Sequence, residues 1–129
     1  MRSFIRITAT GFFAAIAVAS ALIAAGCNRS SSLELGMEIP SKSEAATLAD
    51  VVAKPAEYNG KNVVVKGVIA GQCPSLCEFF MQDGAHRATI FPQGFSFPKL
   101  EKGKPVTVYA QVTAGEENVV FSALGVRVH

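Results

Sequence analysis

From Lys61 onward the sequence keeps returning to a two-residue period, and that period constrains the fold more than any other feature. In "KPVTVYAQVT" (104–113), Val106, Val108, Ala110 and Val112 alternate with Thr107, Tyr109 and Gln111. Successive strand side chains point to opposite faces, so such a segment buries one face and wets the other. "KNVVVKGVIAG" (61–71) sets Val63, Val65, Gly67 and Ile69 on one face, and Val64, Lys66 and Val68 on the other. Apolar groups on both faces predict a strand covered on both sides over part of its length, and Gly67 in its middle predicts a bend or bulge. "EFFMQ" (78–82) and "HRATIF" (86–91) flank Asp83-Gly84, a strong hairpin signal. "VVFSALGVRV" (119–128) follows the turn "AGEEN" (114–118) as a fifth strand. Five strands, the first long and bent at a glycine, predict a mainly β fold: a small closed barrel without exposed edges.

Ahead of the strands, "SEAATLADVVAKPAEYNG" predicts a short helix. Ser43 caps it, Leu48, Val51 and Val52 share its apolar face, Pro55 stops it, and Tyr58-Asn59-Gly60 turns into the first strand. Residues 44–129 are thus one small domain. Residues 27–43 are rich in serine, with Gly36 and Pro40, and read as a flexible tether. The alternation of Leu33, Leu35, Met37 and Ile39 with Glu34, Gly36 and Glu38 hints at a strand there.

Residues 1–26 read as a secretory signal peptide. Arg2 and Arg6 precede Phe12–Gly26, an apolar run of 15 broken only by Ser20. That is short for a membrane-spanning helix, which needs about 18–20 residues. The exit "LIAAGC" resembles a bacterial lipobox, which makes Cys27 the lipid-modified first residue of a protein facing the periplasm. An ordinary signal peptide cut nearby would instead leave Cys27 as a free thiol. The whole chain carries a formal charge of +2, and loss of Arg2 and Arg6 leaves ten basic against ten acidic residues. Such a balance weighs against nucleic acid as a partner, because that binding is driven by excess Lys and Arg.

Taken in order, these motifs resemble a poorly characterised family of bacterial periplasmic OB-fold domains. Tyr58, Gly60, Lys61, Val63, Val65 and Gly67 match its "Y-x-G-K-x-V-x-V-x-G" segment. Cys73 and Cys77 match its paired-cysteine loop, and Asp83-Gly84 its turn. Gly94, Phe95, Pro98, Gly103, Lys104, Val106 and Val108 match "G-F-x-x-P-x-x-x-x-G-K-x-V-x-V". The resemblance covers Thr47 to His129. It implies an OB-like barrel and an envelope location, and names no reaction. The family commonly has four residues between the cysteines and a tryptophan after the second. Here there are three, and Glu78 stands in the tryptophan's place.

Three readings of Cys73 and Cys77 stand side by side. A structural disulfide suits an oxidising compartment and a small domain. A soft-metal site, copper first, would draw on Cys73, Cys77, Met81 and His86, because thiolates and thioethers select Cu(I). A redox-active pair is the third, without the helix start that usually lowers a thiol pKa. In an OB-like barrel, Glu78, Glu116 and Glu117 would crowd one binding rim, suited to a cation or a basic partner, or would simply be solvated turns. Phe91, Phe95 and Phe97, with Pro92 and Pro98, are expected to plug one barrel end. Lys99, Lys102 and Lys104 are a solvated turn or an approach to anionic headgroups. No Ser-His-Asp order, phosphate loop or His-Glu-x-x-His motif is present. The sequence therefore reads as a non-enzymatic lipoprotein with no cofactor, held at the membrane by its anchor, whose partner is an unnamed protein or small ligand.

Overall fold

The computed structural model describes residues 31–129. The signal peptide and the lipobox with Cys27 lie outside the described residues. Chain order is β1 (Leu33–Gly36), β2 (Glu44–Ala45), α1 (Leu48–Ala53), α2 (Pro55–Tyr58), β3 (Asn62–Gln72), β4 (Phe79–Asp83), β5 (His86–Pro92), β6 (Pro105–Ala114) and β7 (Val119–Val128). Strands β3 to β7 close a five-stranded OB-like barrel. β3 pairs with β4, β4 with β5, β6 with β7 and β6 with β3, all antiparallel, and the parallel pair β5–β7 completes the ring. β3 serves two neighbours in succession: Asn62–Val68 pair with β6 and Val68–Gln72 with β4. Among the described residues, no helix is long and apolar enough to cross a membrane.

The alternation produces the core. Val63, Val65, Ile69, Phe79, Met81, Ile90, Val106, Val108 and Val112 are buried, each such side chain contributing about 2 kcal/mol through removal from water. In β7 the inward phase changes from Phe121 and Ala123 to Val126 and Val128, because the register against β6 slips by one residue at Leu124. The irregularity of β3 lies between Ile69 and Gly71 and not at Gly67. Gly67 is needed for a different reason: a Cβ there would sit 2.5 Å from the backbone oxygen of Gln82 on β4.

Three expectations from the sequence change at the amino-terminal side. Thr47, not Ser43, caps α1, its hydroxyl accepting from the Asp50 amide at 3.0 Å. Pro55 opens α2 as well as ending α1, as its fixed φ permits at a first helical position. Leu48 and Val51 are buried, whereas Val52 is 47% exposed. The larger correction concerns 27–43. Leu33–Gly36 is a strand paired antiparallel with β7, from Leu33 opposite Val128 to Gly36 opposite Gly125. It occupies the edge of β7 that β5 leaves free beyond Ala123. Two glycines allow this approach. A Cβ on Gly125 would collide with the Met37 carbonyl, and one on Gly36 with the Leu124 carbonyl. Arg127 donates to Glu34 at 2.7 Å, and the Met37 amide to Leu124 at 2.8 Å. The folded unit therefore begins by Leu33, and β2 adds a short parallel pairing to β3.

Candidate functional site

The strand directions divide the barrel into two poles. One gathers the end of β3, the start of β4, the end of β5, the start of β6 and the end of β7. The Cys73–Cys77 loop and the long β5–β6 connection lie here. The other pole gathers α1, α2, the Asp83-Gly84 hairpin and the 115–118 turn.

At the first pole the β5–β6 connection replaces the helix that the OB plan usually places there. Phe97 is buried and meets Phe79 edge-on, with centroids 5.1 Å apart; Phe95 packs on Phe97 at 5.4 Å. Phe91 stays outside, 38% exposed, and takes no part in the plug. Gln72, the last residue of β3, clamps the connection with both ends of its amide. Its Nε2 donates to the Pro98 carbonyl and its Oε1 accepts from the Leu100 amide, each at 2.8 Å.

Directly after Gln72 comes the cysteine loop. The Cys73 amide donates to the Glu78 carbonyl at 3.1 Å, and the Leu76 amide to the Cys73 carbonyl at 2.9 Å. Leu76 takes the left-handed conformation, φ 60°, which reverses the chain tightly. This turn brings the sulfurs of Cys73 and Cys77 and a carboxylate oxygen of Glu78 within 4.8 Å of one another. The two sulfurs stand unbonded, Cys77 exposed and Cys73 half-buried. The Ser75 hydroxyl stands between them, 3.1 Å from Cys73 Sγ and 3.3 Å from Cys77 Sγ. Hydrogen bonding from the Ser75 side chain is the main cause that holds the Cys73 thiol below its ordinary pKa. The Cys77 thiol and the Ser75 amide add to it, against the opposing effects of burial and the Glu78 charge.

The rest of the metal set proposed from sequence does not assemble. Met81 is fully buried in the barrel interior, opposite Ile69 and Ala88. His86 pairs with Asp83 at the far end of the β4–β5 hairpin, a strand's length from the cysteines. Glu78 takes their place. The three-acid rim also separates. β6 runs antiparallel to β3, so the β3–β4 and β6–β7 loops emerge at opposite poles. Glu78 stays with the cysteines, while Glu116 and Glu117 line a distal groove with Arg87, Val52 and Pro55. Arg87 also lies over the Phe80 ring, 4.6 Å from its centroid, on the outer face of the barrel. Sequence reasoning does not single out Ser75 or Gln72. The symmetric spacing Cys-Pro-Ser-Leu-Cys is the available signal for Ser75, two residues from either thiol.

No family model and no curated protein matches the chain. Solved structures match it in fold. One is a crystal structure assigned as an aspartyl-tRNA synthetase from Leishmania major Friedlin, 9% identical, with a TM-score of 0.53. The match covers 73% of this chain and 22% of that one. At that identity the likeness is one of fold alone. Fold and site together define a small OB-like barrel with an exposed dithiol loop at one pole.

Proposed function

We propose that this chain is a non-enzymatic cell-envelope lipoprotein, anchored through Cys27, whose OB-like barrel is a binding domain with the Cys73–Cys77 loop as its chemical centre. The lipobox and the family resemblance support the location. The observation that carries the chemistry is the convergence of Cys73, Cys77 and Glu78 within 4.8 Å at an exposed turn. In an oxidising compartment the two thiols would pass two electrons and two protons to a disulfide-bearing oxidant and close on each other. A second reading is favoured by Glu78. Two thiolates and one carboxylate, completed by water, suit a borderline divalent cation such as zinc better than Cu(I), because the thioether of Met81 is turned into the core.

The test is a thiol count with metal analysis on the mature protein isolated without reductant. The disulfide reading expects neither free thiol nor metal. The metal reading expects bound zinc or copper that disappears in Cys77→Ser. Free thiols without metal, unchanged by oxidised glutathione, would sink both. Independently, Cys27→Ala should block processing or release the protein from membranes; normal processing and retention would remove the lipoprotein reading.

A further inference from the structure

The strand β1 fixes more than the amino-terminal boundary of the fold. It also decides which end of the barrel the preceding chain leaves from. Leu33 lies opposite Val128, so the chain enters the barrel at the pole that carries the Cys73–Cys77 loop. Leu33 shares a surface there with Lys99, Leu100, Lys104 and His129. Leu33 is only six residues on from Cys27, and fully extended that stretch reaches about 20 Å. The opposite end of β7, at Val119, is nine residues from Val128, or about 30 Å along the strand. A tether shorter than the strand it adjoins cannot bring the distal pole to the acyl chains.

Charge is distributed in the same sense. The near-pole connection Lys99–Lys104 holds three lysines against Glu101, all exposed, and the cysteine loop of that pole adds Glu78. Of these, Lys104 is drawn to Glu101 at 3.6 Å, and Lys99 and Lys102 form no ion pair among the described residues. The distal pole holds Glu44, Asp50, Glu57, Asp83, Glu116 and Glu117 against Lys54, Lys61 and Arg87. An anionic headgroup layer attracts the first end and repels the second.

On the footing of the lipoprotein reading, we propose that the domain stands on its membrane on the cysteine-loop pole, with Lys99, Lys102 and Lys104 in the headgroup layer of anionic phospholipid. The acidic distal pole and its Arg87 groove then face away, and the dithiol faces the membrane surface.

The experiment uses the full acylated protein in vesicles of phosphatidylethanolamine and phosphatidylglycerol carrying nickel chelated at the headgroups. A spin label replaces Glu101 or Glu116, as Glu101→Cys or Glu116→Cys, in a Cys73→Ser/Cys77→Ser background. Position 101 should lose most of its signal to paramagnetic broadening, and position 116 should match vesicles without nickel. Equal broadening at the two positions, or stronger broadening at 116, would overturn the orientation while leaving the anchor intact. Absence of the acyl mass on Cys27 with release from the vesicles would overturn anchor and orientation together. A second variant leaves the folded domain untouched by inserting about ten Gly/Ser residues after Arg29. In uncharged vesicles this should abolish the difference between positions. In anionic vesicles a remaining difference should disappear at high salt, and a difference insensitive to salt would exclude the lysines as its cause.

Discussion

The two poles of this barrel are closed by different means. At the cysteine-loop pole an irregular connection does the sealing: Phe97 enters the core, and Gln72 holds the backbone around it by both ends of one amide. At the distal pole two short helices do it, with Leu48 and Val51 as the buried residues. The helices are short, so the distal end combines their few internal bonds with single side-chain contacts: the Thr47 cap, Asn59 accepting from the Ala114 amide and Gln82 Nε2 donating to the Gly84 carbonyl, each at 3.0 Å. The β5–β6 connection instead has its backbone held by one barrel side chain, Gln72, at two points. The loop-sealed end is also where the only close cluster of metal-ligating side chains among the described residues sits. Irregular backbone is what allows Cys73, Ser75 and Cys77 to converge within a single turn.

That contrast is breakable by mutation. Phe97→Ala should destabilise the domain by about 4 kcal/mol, because a buried aromatic plug is replaced by a cavity. Val52→Ala, on the exposed side of α1, should stay within about 0.5 kcal/mol. Denaturant midpoints measure both, and comparable losses would mean that the helices and the loop seal their ends alike. Gly67→Val strikes β3 between the poles and should cost about 3 kcal/mol, since the added atoms have no space against Gln82. Lys66→Val faces outward and should change little. Equal midpoints for these two variants would show that β3 and β4 do not approach each other closely at Gly67.

How far the sequence carried these features follows from how local each one is. The five barrel strands were readable because alternation is written in consecutive residues, and Gly67 stood out within it. The β7 bulge was not, because Leu124 looks like any strand residue until β6 sets the register. β1 was visible only as an alternation around Leu33 and Leu35; its partner edge exists because β5 leaves β7 after Ala123, a fact about strands far apart in sequence. The acidic rim failed for a similar reason: which pole a loop occupies depends on the direction of a distant strand. Met81 was a nearer miss. It lies two residues from Phe79, and period two turns both inward.

Smaller effects sharpen the chemical side of the comparison. The Cys73 thiol is held below its ordinary pKa chiefly by Ser75, so more of it is thiolate near neutral pH and it should alkylate faster than an ordinary thiol. Ser75→Ala should move the midpoint of its rate–pH profile upward and slow alkylation at neutral pH by a few-fold. An unchanged profile would assign the lowering to Cys77 and the backbone. The smallest effect is an expected absence. Phe80 beneath Arg87 looks like a base-stacking platform, yet the groove beside Arg87 is edged by Glu116 and Glu117, which repel phosphates. Single-stranded DNA or RNA titrated at low salt should not bind. Micromolar, salt-sensitive binding would show that the outer face outweighs the acidic turn.

The pairing of β1 with β7 also has a mechanical meaning. A pull on the chain at Ser32, directed out of the barrel along the strand, does not peel β1 away rung by rung. It slides four residues past their partners at once, from Leu33 against Val128 to Gly36 against Gly125. All the ladder bonds, and the Glu34–Arg127 pair beside them, share the load in shear. The segment that delivers tension to this domain is therefore fastened to it in the direction in which a short strand resists most.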